Sequence, residues 1–186
     1  VLAHCLKSIG VWLGDDEAML PAHAEDNPEG YWERRDVHDA HVQFLAESGF
    51  DWDRLAGYSA VDPSSPSATA LTEQLTSVVS DLGGHATWAL KDPRLCLVLP
   101  VWQRVAPDFI PIVAVRHPLE VAASLLRSPR GIYPTHFTLL LWEKYLLRCL
   151  KDLAGRRALF VSYRNLITSP KAEIERIARI LQANGV

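Results

Sequence analysis

Three short runs of polar residues each follow an apolar stretch, and two of them carry cations that could bind an anion. Lys91-Asp92-Pro93-Arg94 follows Thr87–Leu90, Arg116-His117-Pro118 follows Phe109–Val115, and Ser162-Tyr163-Arg164 follows Ala158–Val161. If the apolar stretches are strands of one parallel sheet, these runs meet on the rim beyond the carboxyl ends of the strands, where such sheets bind ligands. Arg116 leaves its strand at that rim. Pro118 suits the first turn of a helix, whose free N–H groups carry the positive end of the helix dipole. Ser124 adds a hydroxyl about two turns into that helix. A guanidinium and a hydroxyl near a helix start suit a phosphate monoester. The same spacing equally allows Arg116 to pair with a surface carboxylate while Ser124 only packs.

The elements that must position these residues alternate along the chain. Leu2, Cys5, Leu6 and Ile9 have helical spacing that ends at Gly10, so residues 1–10 read as the back half of a helix. Residues 14–30 are rich in Asp, Pro, Gly and Asn and read as a loop. A helix follows up to about Gly49, residues 57–68 form a connection, and a helix through Leu82 closes at Gly83-Gly84. Residues 87–90 read as a short strand, 94–105 as a helix bent at Pro100, and 109–115 as a strand with Pro111 as a blemish. Helices over 118–127 and 135–154, a strand over 158–161 and a helix from Ser169-Pro170 complete the pattern. Strands separated by helices imply βα units and a parallel sheet covered on both faces, an α/β fold in one domain spanning 1–186.

Composition narrows the classes of function. The 186 residues are 48% hydrophobic and 22% charged with a formal net charge of −3, which suits a folded domain and predicts no broad basic face for nucleic acid. No apolar run approaches the about 18 residues needed to span a bilayer, and the Leu-rich stretch 135–154 reads as core. Cys5, Cys96 and Cys149 lie far apart without metal spacing, so no metal site is expected. Reduced thiols point to a reducing compartment, the cytoplasm.

Four segments in order, EDNPEGYWE (Glu25–Glu33), LKDPRLCLVLPVW (Leu90–Trp102), VRHPLEVAASLL (Val115–Leu126) and VSYRNLITSP (Val161–Pro170), cover much of the chain. They resemble a bacterial branch of the sulfotransferases, in which a strand-end Arg is followed eight positions later by a Ser. The resemblance implies a P-loop NTPase-like, three-layer α/β/α fold with a central parallel sheet. It implies 3′-phosphoadenosine 5′-phosphosulfate as donor, 3′-phosphoadenosine 5′-phosphate as product, and a small-molecule or glycan hydroxyl as acceptor. Arg116 and Ser124 would hold the 3′-phosphate, and Tyr163 would lie near the nucleotide or else anchor a sheet edge. The family's basic, Ser/Thr-containing loop for the 5′-phosphosulfate is not found in these residues, and no GxxxxGK[ST] pattern occurs. That loop would lie immediately before Val1, so the chain is expected to be an N-terminally truncated domain, inactive or crippled as it stands.

Sulfonate transfer needs a base for the acceptor hydroxyl and a cation for the leaving oxygen. Many cytosolic relatives use a histidine after the strand equivalent to 87–90, where this chain has Lys91 and Asp92. By similarity to some bacterial carbohydrate sulfotransferases, Glu33 is the first candidate base, with Asp92 as competitor and Glu29 close by; Lys91 would stabilise the leaving oxygen or the sulfonate. The alternative for Glu33 is a solvated loop carboxylate or a charge before the helix over 35–48, and for Arg94 a loop anchor. Trp32, Trp52 and Trp88 suit either sugar stacking or the core, and His41 and His136 read as packed or exposed. The rival readings are a P-loop nucleotide kinase or NTPase and a non-catalytic nucleotide-binding module.

Overall fold

Local signals set most helix boundaries. In the computed structural model, which describes residues 1–24, 27, 28, 30–128 and 133–186, helix α1 runs over Leu2–Ser8 and α2 over Arg35–Glu47. The third helix, α3 (Pro66–Leu82), starts where the Ser65 side chain accepts from the Ala68 N–H and Pro66 takes the first turn. Helix α4 (Leu95–Val105) is kinked: Val98 leaves helical geometry (φ −113°, ψ 17°) two residues before Pro100. The Tyr58 hydroxyl donates to the Leu97 carbonyl at 2.5 Å, satisfying an acceptor at the break.

Strand β1 (Ile112–Val115) leads into α5 (Pro118–Leu125), α6 (Thr135–Asp152) and strand β2 (Leu159–Ser162). Two further helices, α7 (Tyr163–Thr168) and α8 (Pro170–Ala183), end the chain. The two strands are parallel, with Ile112 opposite Leu159 and Val115 opposite Ser162. Pro111 lies just outside β1 and its carbonyl accepts from Leu159 N–H at 2.8 Å, so the missing proline N–H removes no ladder bond. The strand expected over 109–115 is therefore shortened to 112–115.

The strand expected over 87–90 is corrected to a single parallel bridge between Trp12 and Trp88. Trp12 N–H donates to Thr87 O at 3.0 Å and Ala89 N–H to Trp12 O at 2.9 Å. The apolar run is four residues long and meets Lys91-Asp92-Pro93 before a ladder can extend. The result is a mixed helix and strand structure with a small two-stranded parallel sheet.

That sheet is packed on one face and partly covered on the other, where Phe160 is exposed. Ile112, Leu159 and Val161 join Cys5, Leu6, Ile177 and Leu181 on one side. Val113 and Ala158 join Leu99, Cys149 and Leu153 on the other. Alternate strand residues thus serve opposite layers. The largest cluster is helical, uniting Leu45, Leu71, Leu75, Leu82, Leu97 and Val101 from α2, α3 and α4. Among the described residues no helix is long and apolar enough to cross a membrane.

Candidate active site

Glu33 is held by backbone on a segment that faces α3. Its carbonyl accepts from Leu20 N–H at 2.8 Å, beside the antiparallel bridge between Met19 and Arg34. Arg34 is itself buried and ties the start of α2 to α3, donating to Asp36 at 2.7 Å and Asp81 at 3.1 Å. Burial works against the Arg34 charge, but the Asp36 hydrogen bond outweighs it and holds the guanidinium above its ordinary value. On the other flank of Glu33, Trp32 has φ 58°, the one non-glycine residue with positive φ among those described. A bulky aromatic residue there carries strain. Its ring is held by the His4 ring, 4.6 Å away edge-on, and by Lys7 Nζ at 4.7 Å from the centroid. The backbone on both sides of Glu33 is thus set by tertiary contacts.

The Glu33 side chain is 7% exposed and meets the segment between Trp88 and α4. Lys91 Nζ donates to its Oε1, and Arg94 Nη1 stands 3.8 Å from its Oε2. Lys91 is 41% exposed, so the ammonium forms the outer wall of this cluster and the carboxylate its floor. A carboxylate beside an ammonium that reaches solvent can accept a proton from an incoming hydroxyl while the cation faces developing negative charge.

Asp92 has a different surrounding. Its side chain is 1% exposed. Oδ1 accepts from the Arg94 N–H at 2.7 Å and from Arg94 Nη1 at 3.0 Å, and Oδ2 lies 3.1 Å from His41 Nδ1. The chain of bonds continues: Trp102 Nε1–H donates to His41 Nε2 at 3.0 Å. An indole nitrogen can only donate, so His41 Nε2 accepts and the imidazole proton sits on Nδ1, directed at Asp92. Burial alone would raise the Asp92 carboxyl; the His41 hydrogen bond and the Arg94 charge outweigh it and hold the group below its ordinary value of 3.8. All three of its hydrogen bonds come from the protein, which suits Asp92 to positioning Arg94 and, through it, Glu33.

The second group of candidates sits at the strand ends. Because Val115 pairs with Ser162, the residues that follow, Arg116 and Tyr163, are neighbours. Arg116 Cζ lies 4.4 Å from the centre of the Tyr163 ring. Tyr163 opens α7, an element not expected from sequence, which starts where Ser162 Oγ accepts from Asn165 N–H. The Arg116 carbonyl accepts from Trp142 Nε1–H at 3.1 Å, which fixes the strand end against α6. Arg116 Nε also donates to Glu120 at 3.4 Å, the surface-carboxylate pairing that the spacing had allowed. That pair is half-exposed, so it is worth at most about 1 kcal/mol and a phosphate can displace it. Ser124, on α5, is half-buried and its hydroxyl makes no hydrogen bond to Arg116 or Tyr163.

The structure thus makes two groupings of the sequence candidates: Glu33, Lys91 and Asp92 around Arg94, and Arg116 with Tyr163. Glu29 and the Glu25 end of the first segment lie outside the described residues. Sequence reasoning missed the buried His41–Trp102 pair, and no local pattern links His41 to an aspartate 51 positions away. A groove of about 590 Å³ on α2 and α3, lined by Arg34, Asp36, Gln43, Gln74, Ser77 and Asp81, contains none of the sequence candidates. Comparison with protein-family models, with curated proteins and with solved structures finds no match to this chain.

Proposed function

We propose that this chain is the body of a P-loop-type sulfotransferase domain that uses 3′-phosphoadenosine 5′-phosphosulfate and transfers sulfonate to a hydroxyl. The observation that carries the reading is the contact of Arg116 with Tyr163 at the carboxyl ends of two parallel strands. It offers a cation backed by an aromatic face at the rim where open α/β sheets bind nucleotides. Arg116 grips the 3′-phosphate by charge-assisted hydrogen bonds, with the Ser124 hydroxyl as a second donor and Tyr163 beside the nucleoside.

In this reading the acceptor oxygen forms a bond to sulfur as the bond from sulfur to the bridging phosphate oxygen breaks. Glu33 takes the acceptor's proton. Lys91, whose ammonium is the exposed member of the cluster, faces the charge that grows on the leaving oxygen. Asp92 acts at one remove by holding Arg94 beside Glu33.

The test is calorimetric comparison of adenosine 3′,5′-bisphosphate with ADP. The chain binds the 3′-phosphorylated nucleotide more tightly, by roughly 10- to 100-fold for a charge-assisted contact. Arg116→Ala removes that preference and leaves ADP binding nearly unchanged. Equal binding of the two nucleotides by the unmodified chain overturns the reading.

A further inference from the structure

The outward face of α6 carries a row of leucines that the fold does not use. The inner face of the helix already buries Thr138, Leu141 and Cys149, and Trp142 is directed at the Arg116 carbonyl. Leu140, Leu147 and Leu150 are nonetheless 61%, 47% and 40% exposed. Their spacing puts them on one stripe of the helix. Residues four apart are neighbours on a helix, so Glu143 and Lys151 stand on the same stripe, one on each side of Leu147. Both are exposed, and the side chain of neither makes an ion pair or a hydrogen bond among the described residues. Exposed Ala154 continues the stripe into the turn after α6.

This stripe complements itself. When two copies of the helix meet antiparallel about a two-fold axis through Leu147, each Glu143 falls opposite the second copy's Lys151 and each Leu140 opposite its Ala154. A parallel pairing would instead set glutamate against glutamate and lysine against lysine. We propose that the outer face of α6 is the interface of a symmetric antiparallel dimer of this chain, with Leu147 on the axis and reciprocal Glu143–Lys151 pairs beside it. A two-fold contact uses one patch on both copies, so a leucine row bracketed by opposite charges at equal distances is the pattern it requires. The pairing goes beyond the sulfotransferase reading and does not depend on it. The stripe from Leu140 to Ala154 is about 21 Å long and about 10 Å wide, well short of the about 800 Å² per partner of a tight complex. The dimer is therefore weak and forms as concentration rises.

The experiment is sedimentation equilibrium of the purified chain from about 5 μM to about 500 μM, at about 50 mM salt so that exposed charges are only partly screened. The average mass rises from that of one chain toward that of two and no further. Leu147→Lys brings two ammonium groups together on the axis and leaves the chain monomeric throughout. Glu143→Lys and Lys151→Glu each weaken association by about tenfold or more, because symmetry turns two attractive pairs repulsive at once. The double variant Glu143→Lys/Lys151→Glu regains association to within about threefold of wild type. All these positions are exposed, and an unchanged circular dichroism spectrum and Tm separate loss of the dimer from loss of the fold. If Leu147→Lys does not fold, the charge reversals decide. A wild-type chain that stays monomeric over the whole range, a dimer that Leu147→Lys leaves intact, or a double reversal that recovers nothing overturns the proposal.

Discussion

Replacing Asp92 with asparagine tests the buried relay directly, because every neighbour of that carboxylate is a donor. In Asp92→Asn one amide oxygen can still accept from the Arg94 N–H and Nη1. The amide nitrogen then faces His41 Nδ1–H, donor against donor. Moving the imidazole proton to Nε2 only shifts the conflict to Trp102 Nε1–H. One buried donor pair is left unsatisfied in either tautomer, costing about 1–3 kcal/mol. Removing the charge from the Arg94 pair inside a nearly sealed site brings the total to about 3–5 kcal/mol. At about 2–4 °C per kcal/mol for a chain of this size, Tm falls on the order of 10 °C, read by calorimetry or circular dichroism. The relay makes a sharper demand in a double-mutant cycle. With Trp102→Phe the indole donor is gone, His41 can carry its proton on Nε2, and Nδ1 can accept from the new amide. Trp102→Phe therefore recovers about 1 kcal/mol or more relative to additivity in the Asp92→Asn background. Additive losses, or an Asp92→Asn variant within about 0.5 kcal/mol of wild type, refute the bonding scheme.

Three other outcomes follow from the same geometry. Under the proposed sulfotransferase reading, Glu33→Gln in a form of the protein that carries the 5′-phosphosulfate loop keeps the shape but not the proton acceptor, so turnover falls roughly 10²–10⁴-fold while affinity for adenosine 3′,5′-bisphosphate stays within about twofold; unaltered turnover removes Glu33 as the base. The Asp92 carboxyl lies below its ordinary value of 3.8 in the folded chain, so its contribution is present above that value and is lost as pH falls through the folded one; the acid limb of a stability–pH curve is flatter in Asp92→Asn, and parallel curves would contradict this. Gly14 has φ 125°, and a Cβ there would meet Met19 Cε at 2.5 Å; Gly14→Ala lowers stability by about 1–3 kcal/mol in denaturant unfolding, and no change would mean that the 14–20 turn relaxes freely.

Helices were legible where local chemistry ends or opens them, Gly83 after α3 and Pro118 at the start of α5, whereas the start of α3 at Ser65-Pro66 lay inside the Ser/Pro-rich run 57–68 that reads as a connection. β1 and β2 were legible as β-branched and aromatic runs, which is why Arg116 and Tyr163 could be placed at one rim. The 87–90 segment was misjudged because a four-residue apolar run does not reveal how many neighbours it will find to pair with. α7 was missed because its six residues begin at the very strand end being searched for ligands. The candidate cluster was only half legible. Lys91, Asp92 and Arg94 are neighbours in sequence, but Glu33 comes from 58 positions away and His41 from 51, and neither separation leaves a local pattern. His41 fitted the apolar face of α2 between Val37 and Phe44, so its spacing announced burial and concealed its bond to Asp92.

The left-handed backbone at Trp32 has a mechanical consequence. A residue in that conformation stays there only where its surroundings hold it, and two of the groups that do so here, a histidine and a lysine, are carried by the first helix. That helix and the carboxylate one peptide further on therefore share a single support: the side chains that steady the indole from α1 also set the direction in which the chain enters Glu33.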